Sequence, residues 1–350
     1  MSVEKASLKL SAAAAKVVDA FRRHGDGRLD KSQSEYQLKR QEYSEVLDYL
    51  EQDLSLKGWV DRKLRYNYDP RTGLLEICMH TQIHEYLTQT VVSEIYKCIR
   101  QFSTQPTVPF ALLTLLKTIT PGGCNDVISV DDPLHNQSPD AQFTRMGDCF
   151  PGVVIETGYL QKAKNIGKKA DEYIMMSNGG IRMVIGFDAV YRSNNQGFDI
   201  VSIWRPQRGQ DQKGRFFRTE CILNRKPFRN AKTKTPINSD YALIIPLDAF
   251  VDPYILRAYS IPSSDHTTAI VTIPFATLAR YLTEAEIFQM HCSTGWRPVV
   301  PEEEKRRRPS TPPETSTTED ENTWMMEERR REKAEEEDET YEEKSSSSSE

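Results

Sequence analysis

At 350 residues, 38% hydrophobic and with a net charge of −5, the chain is large enough for one or two globular domains on the soft prior of roughly 150 residues each. No run of about 18 apolar residues occurs, which argues against a membrane-spanning helix, and MSVEKASLKLSAAAAKVV is too broken by charge for a secretory signal. Cys78, Cys98, Cys124, Cys149, Cys221 and Cys292 are widely spaced with no CxxC pair, so a zinc cluster or disulfide framework is not expected, and reduced thiols point to a cytoplasmic or nuclear protein.

In chain order, residues 4–23 and 32–56 read as helices. The second places Tyr43, Val46, Leu47, Leu50 and Leu54 at helical spacing. Residues 1–60 are therefore expected to form a helical N-terminal extension, a candidate arm for a homo-oligomer. RYNYDPRTGLLEICM reads as a hairpin turning at Asp69-Pro70-Arg71-Thr72-Gly73 and ending near Met79. His84 to Phe102 carries Leu87, Val91, Val92, Ile95 and Ile99 on one helical face. Residues 110–119 fit either a strand or a short helix. Strands are expected at 127–130, 153–156, 181–187, 198–204 and 215–223, with a helix over Gly167 to Met176. This alternation predicts an α/β core with a mixed sheet over residues 61–300. From Pro301 to Glu350 the chain is charged and polar, and disorder is expected.

Charge is unevenly divided. Residues 301–350 hold 18 acids against 9 Lys and Arg, so the first 300 carry 33 acids against 37 bases and a net of +4. Ten of those bases (Arg205, Arg208, Lys213, Arg215, Arg218, Arg225, Lys226, Arg229, Lys232 and Lys234) fall within 205–234 beside only Asp211 and Glu220, interleaved with Phe216, Phe217 and Phe228. That mixture suits phosphate contact and base stacking by nucleic acid, and it suits equally a basic hairpin with core phenylalanines. Lys305-Arg306-Arg307-Arg308-Pro309 has the form of a simple nuclear localisation signal.

The chemistry concentrates in PDAQFTRMGDCFPGVVIE, Pro139 to Glu156. Gly152 to Ile155 reads as a buried strand, and an unpaired carboxylate at its end would be costly, so Glu156 requires a partner. Asp140 is the nearest co-ligand for a shared divalent cation, and salt-bridged strand-end carboxylates are the plainer alternative. His84 would either cap or pack its helix or act beside a metal.

Residues Leu64 to Pro206 resemble the PD-(D/E)xK nuclease fold, and more closely its Uma-like endonuclease branch and similar uncharacterised fungal proteins. The matching parts are the hairpin YNYDPRTGLLEICM, the helix HEYLTQTVVSEIYKCI, the strand SPDAQF, the unit VVIETGYLQKAKNIGKKADEYI and the strand IRMVIGFDAVY. The resemblance implies a restriction-endonuclease-like core with a mixed sheet flanked by helices. It implies Mg²⁺ or Mn²⁺ held by Asp140 and Glu156, with the Thr157 carbonyl and Glu85 as further ligands, and phosphodiester hydrolysis of DNA or RNA. The family's lysine position is occupied by Gly158. Gln161 and Lys162 follow it. Lys169 shares a helix face with Tyr173 at i, i+4 and is the preferred replacement, unless these lysines are simply solvated. The expected catalytic set is thus Asp140, Glu156, Lys169 and Gln161. The competing expectation is a silent relative that binds nucleic acid or a protein partner.

Overall fold

The computed structural model describes residues 10–26, 35–78, 82–159, 166–189, 197–211, 214–293 and Met326. All but Met326 belong to one compact unit, Met1–Trp296. Apart from Met326, the expected disordered tail with its basic run at 305–309 lies outside the described residues, as do Gln161 and Lys162.

The N-terminal part opens with α1 (Ala12–Gly25), capped by Ser11, whose hydroxyl accepts from the Ala14 amide at 3.3 Å. The single helix expected over 32–56 is instead three elements: β1 (Glu35–Gln37), α2 (Arg40–Gln52) and α3 (Leu54–Lys63). Asp53 ends α2 and starts α3, its carboxylate accepting from the Leu56 amide at 3.1 Å. The hairpin forms as β2 (Tyr66–Asp69) and β3 (Leu74–Ile77). Tyr43, Val46 and Leu50 of α2 join Val17 and Phe21 of α1 and Tyr68, Leu75 and Ile77 of the hairpin in one core. The Tyr43 and Tyr68 rings stack 3.8 Å apart. The apolar stripe of α2 is thereby used within the chain, each fully buried side chain contributing about 1.5–3 kcal/mol.

Next come α4 (Gln82–Ser103), α5 (Phe110–Lys117), β4 (Ile119–Gly123), β5 (Val127–Ile128), β6 (Asn136–Gln137), β7 (Ala141–Arg145) and β8 (Val153–Tyr159). They are followed by α6 (Ile166–Met176), β9 (Met183–Ala189), β10 (Phe198–Asp211) and β11 (Gly214–Asn230). Two sheets result, ordered β1-β3-β2-β6-β5 and β11-β10-β9-β8-β7-β4. The hairpin therefore does not open the large sheet as expected; β4 does. Leu75 and Ile77 are drawn to the N-terminal helices, and β2 pairs β6 at Tyr68 and Asn136.

In the large sheet β8 and β9 run parallel and the other neighbours antiparallel, so the sheet is mixed and α6 is the crossover. Both faces are covered, which is why β8 reads as an unbroken apolar run. Val153 and Ile155 enter the core that contains Leu87 and Val91 of α4, whereas Val154 packs with Ala170 and Tyr173 of α6. The remainder is β12 (Ala242–Pro246), α7 (Leu247–Phe250), α8 (Pro253–Ala258), β13 (Ala269–Pro274) and α9 (Phe275–Ser293). β12 pairs β13, and their Ile245 and Ile273 join the core on the α4 side.

Two glycines seat α6. A Cβ on Gly158 would meet Ile166 Cδ1 at 2.9 Å, and one on Gly186 would meet Ile166 Cγ2 at 2.4 Å and Trp204 Cζ3 at 2.8 Å. The first turn of α6 therefore lies directly on the C-terminal end of β8 and the middle of β9. Gly186→Ala is expected to destabilise the fold by about 1–3 kcal/mol through overpacking. Gly167→Ala, whose Cβ would approach Trp204 only to 3.7 Å, should be neutral or stabilising. Urea melts of the two variants check this, and equal midpoints would show that the notch does not seat the helix.

Candidate metal and catalytic site

β7 and β8 are in register at Ala141 with Ile155 and Gln142 with Val154, so one step further brings Asp140 opposite Glu156. Both side chains are buried. Asp140 Oδ2 accepts from the Thr157 backbone amide at 2.6 Å and lies 2.8 Å from His84 Nε2, which comes from the first turns of α4. Thr88, one turn on, meets the Thr157 hydroxyl at 3.0 Å and registers α4 against β8.

Glu156 is gripped from α6. Lys169 Nζ donates to Oε2 at 2.8 Å and the Tyr173 hydroxyl donates to Oε1 at 2.7 Å. These are the i, i+4 pair of the helix seated by the glycine notch. The notch also explains why no lysine stands at 158: Ile166 fills that space, and the ammonium reaches Glu156 from the helix instead. The Lys169 side chain is only 17% exposed, so the solvated alternative does not describe it.

Burial pushes the Glu156 carboxyl up to about 7; the Lys169 ammonium opposes this, and the charge of Asp140 adds to it. Burial pulls Lys169 down, but the Glu156 carboxylate holds its ammonium above the ordinary range. His84 likewise loses solvation, yet Asp140 raises it above its usual value. Cys78 is a neighbour the sequence did not flag. Burial pushes its thiol up to about 12, with Lys169 opposing and Glu76, Glu156 and Asp140 adding.

Two of these raised groups, Glu156 and His84, give a pH dependence of known sign. Glu156 and His84 both take up protons more readily in the folded chain. Their stabilisation is therefore complete below the unfolded values of about 4.5 and 6.5 and is lost as pH rises through the folded values. Between pH 5 and pH 8 the melting temperature should fall more steeply in the wild type than in Glu156→Gln. Parallel curves for the two proteins would show that Glu156 does not titrate in this window.

Glu85 stands half-exposed beside His84, whose value its charge helps to raise. It faces Arg65 at 3.8 Å and lines a groove of about 610 Å³ with Gln82, Tyr86, Gln89 and Phe288. The reason is helical geometry: His84 takes the inward position, and the next residue turns about 100° away. Among the described residues no group of three or more His, Cys, Asp and Glu is placed to hold a metal ion.

The basic stretch forms a long ribbon of β10 and β11. β10 leaves the sheet beyond Trp204, opposite Val184, whereas the carboxylate pair lies level with Gly186 and Ser202. Followed as far as Asp211 and Gly214, the ribbon thus runs away from the pair for about 30 Å at a rise of 3.3 Å per residue. Along it, Arg208 stacks over Phe217 and Arg218 over Phe216. Several members of the expected contact surface are committed elsewhere, Lys234 among them through Glu286 at 2.9 Å. Phe228 is core; Arg229 is 1% exposed and bonds Asp199 at 2.7 Å; Arg205 pairs Asp248 at 2.9 Å. Lys213 lies outside the described residues. Among the described residues no helix is long and apolar enough to cross a membrane. No protein-family model matches the chain, and no curated protein or solved structure matches it.

Proposed function

We propose that this chain is a metal-dependent phosphodiester hydrolase acting on DNA or RNA, with a restriction-endonuclease-like core. The observation that supports the reading is the Ala141–Ile155 register, which continued by one residue sets Asp140 across from Glu156, with Lys169 bonded to Glu156 from the crossover helix. The order of β4, β7, β8, α6 and β9, antiparallel and then parallel, supports the same core.

Two buried carboxylates are hard oxygen donors of the kind Mg²⁺ or Mn²⁺ takes, and the charge of Asp140 adds to the burial that raises Glu156. Asp140 and Glu156 would hold the ion, which when bound neutralises charge at the scissile phosphate and activates water. The protein's own contribution is orientation and fixed charge. His84 and the Thr157 amide fix the Asp140 carboxylate, and Tyr173 fixes one oxygen of Glu156. Lys169, held protonated, serves as a stationary cation toward a phosphate oxygen rather than as a base.

A second reading has its own observation: both oxygens of Glu156 are already bonded within the protein, as in an inactive scaffold that binds nucleic acid or a protein partner. Calorimetric titration with Mn²⁺ separates the two. The hydrolase reading expects binding that disappears in Asp140→Ala; a flat titration of the wild type supports the scaffold.

A further inference from the structure

We infer that Asn67, on the N-terminal hairpin, is a positioning residue for Asp140, so that the small sheet is a working part of the site. Its functional consequence rests on the metal-binding reading above; its structural content does not. Asp140 is anchored downstream by His84 and the Thr157 amide. What holds it upstream is the segment Ser138-Pro139, and that segment is gripped from β2.

The Ser138 amide donates to Asn67 Oδ1 at 2.8 Å, and the Ser138 hydroxyl is bonded to the Tyr66 carbonyl at 3.0 Å and to the Asp126 carboxylate. Both Ser138 and Asn67 are buried. Pro139 has no N–H, so the Ser138 amide is the last backbone donor before that of Asp140 itself. Asn67 is in turn fixed by its own strand, paired opposite Glu76, with its amide nitrogen 3.4 Å from both Glu76 Oε2 and Cys78 Sγ. Asn136 adds a second tie, donating to the Tyr66 carbonyl at 3.2 Å. The hairpin register is therefore transmitted through one side-chain oxygen to the backbone two residues before the carboxylate.

Asn67→Ala in the full chain should loosen Asp140 without unfolding β8. The direct readout is hydrogen exchange of the Thr157 amide, whose acceptor is Asp140 Oδ2. In Asn67→Ala this amide should exchange at least about 10-fold faster while Val153 to Ile155 keep their protection. Asn67→Asp, which retains the acceptor oxygen, should recover most of the Thr157 protection. Unchanged Thr157 exchange in Asn67→Ala, or acceleration spread evenly along β8, overturns the inference. Mn²⁺ titration provides the functional arm, with affinity expected to drop about 10- to 100-fold in Asn67→Ala, the scale of losing an outer partner of a metal ligand. Equal Mn²⁺ affinity in the two proteins counts against the inference. Absence of Mn²⁺ uptake by the wild type sinks the hydrolase reading alone, since the exchange rates still decide the role of Asn67.

Discussion

Asp140→Asn and Glu156→Gln should each lower Mg²⁺-dependent cleavage of nucleic acid by at least about 100-fold, exceeding the loss expected for an outer partner of a ligand. The substitutions are nearly isosteric, so the hydrogen bonds that organise the two side chains have replacements, and what is removed is charge. Lys169→Met should also reduce turnover while leaving the fold intact. Without the ammonium, Glu156 loses its principal stabilising charge and takes up a proton, which avoids an unpaired buried anion. Glu85→Gln is the control. Its carboxylate faces Arg65 and the outer groove, so activity should stay within about 3-fold of wild type, well under the factor of ten that 1.4 kcal/mol represents. Single-turnover cleavage with purified variants measures all four. If Asp140→Asn cuts as fast as wild type, the carboxylate pair is not the seat of the reaction.

Arg229→Met should cost about 3–5 kcal/mol of stability, the penalty for breaking a buried ion pair from one side. The guanidinium is 1% exposed and makes four bonds: to Asp199 at 2.7 Å, to Thr283 at 2.9 Å, and to the two oxygens of Glu286 at 2.8 and 3.1 Å. It ties β11 to α9, and removing it takes away the guanidinium that Asp199, itself 1% exposed, bonds at 2.7 Å. Lys234, 2.9 Å from Glu286, can still serve that carboxylate. Adding Asp199→Asn to Arg229→Met should therefore recover much of the loss. Chemical denaturation reads both variants, and a loss under about 1 kcal/mol would mean the network is dispensable, as surface pairs often are.

The two predictions bear on opposite kinds of charge. Arg229 was legible in the sequence only as one base among ten, and its neighbours made it look like part of a phosphate-binding face. Burial separates it from Arg208 and Arg218, which stay on the ribbon with their aromatic partners. No local pattern carries that distinction, because the acids that neutralise Arg229 lie 30 and 57 residues away.

Local periodicity by itself determined the elements: the apolar face of α4, the buried run of β8, the Asp69–Gly73 turn and the shared face of Lys169 and Tyr173 follow from side-chain spacing along a helix or strand. So did the requirement that Glu156 have a partner, since the cost of a buried carboxylate holds in any fold. Only the tertiary structure decided which strands pair and what reaches the site. Pairing is a competition among surfaces distant in sequence, so the hairpin went to the N-terminal helices rather than to the large sheet, and β4 took the edge position. The approach of α6 onto Gly158 and Gly186 moved the cation to Lys169, and a rotation of about 100° per residue on α4 brought in His84 and turned Glu85 away.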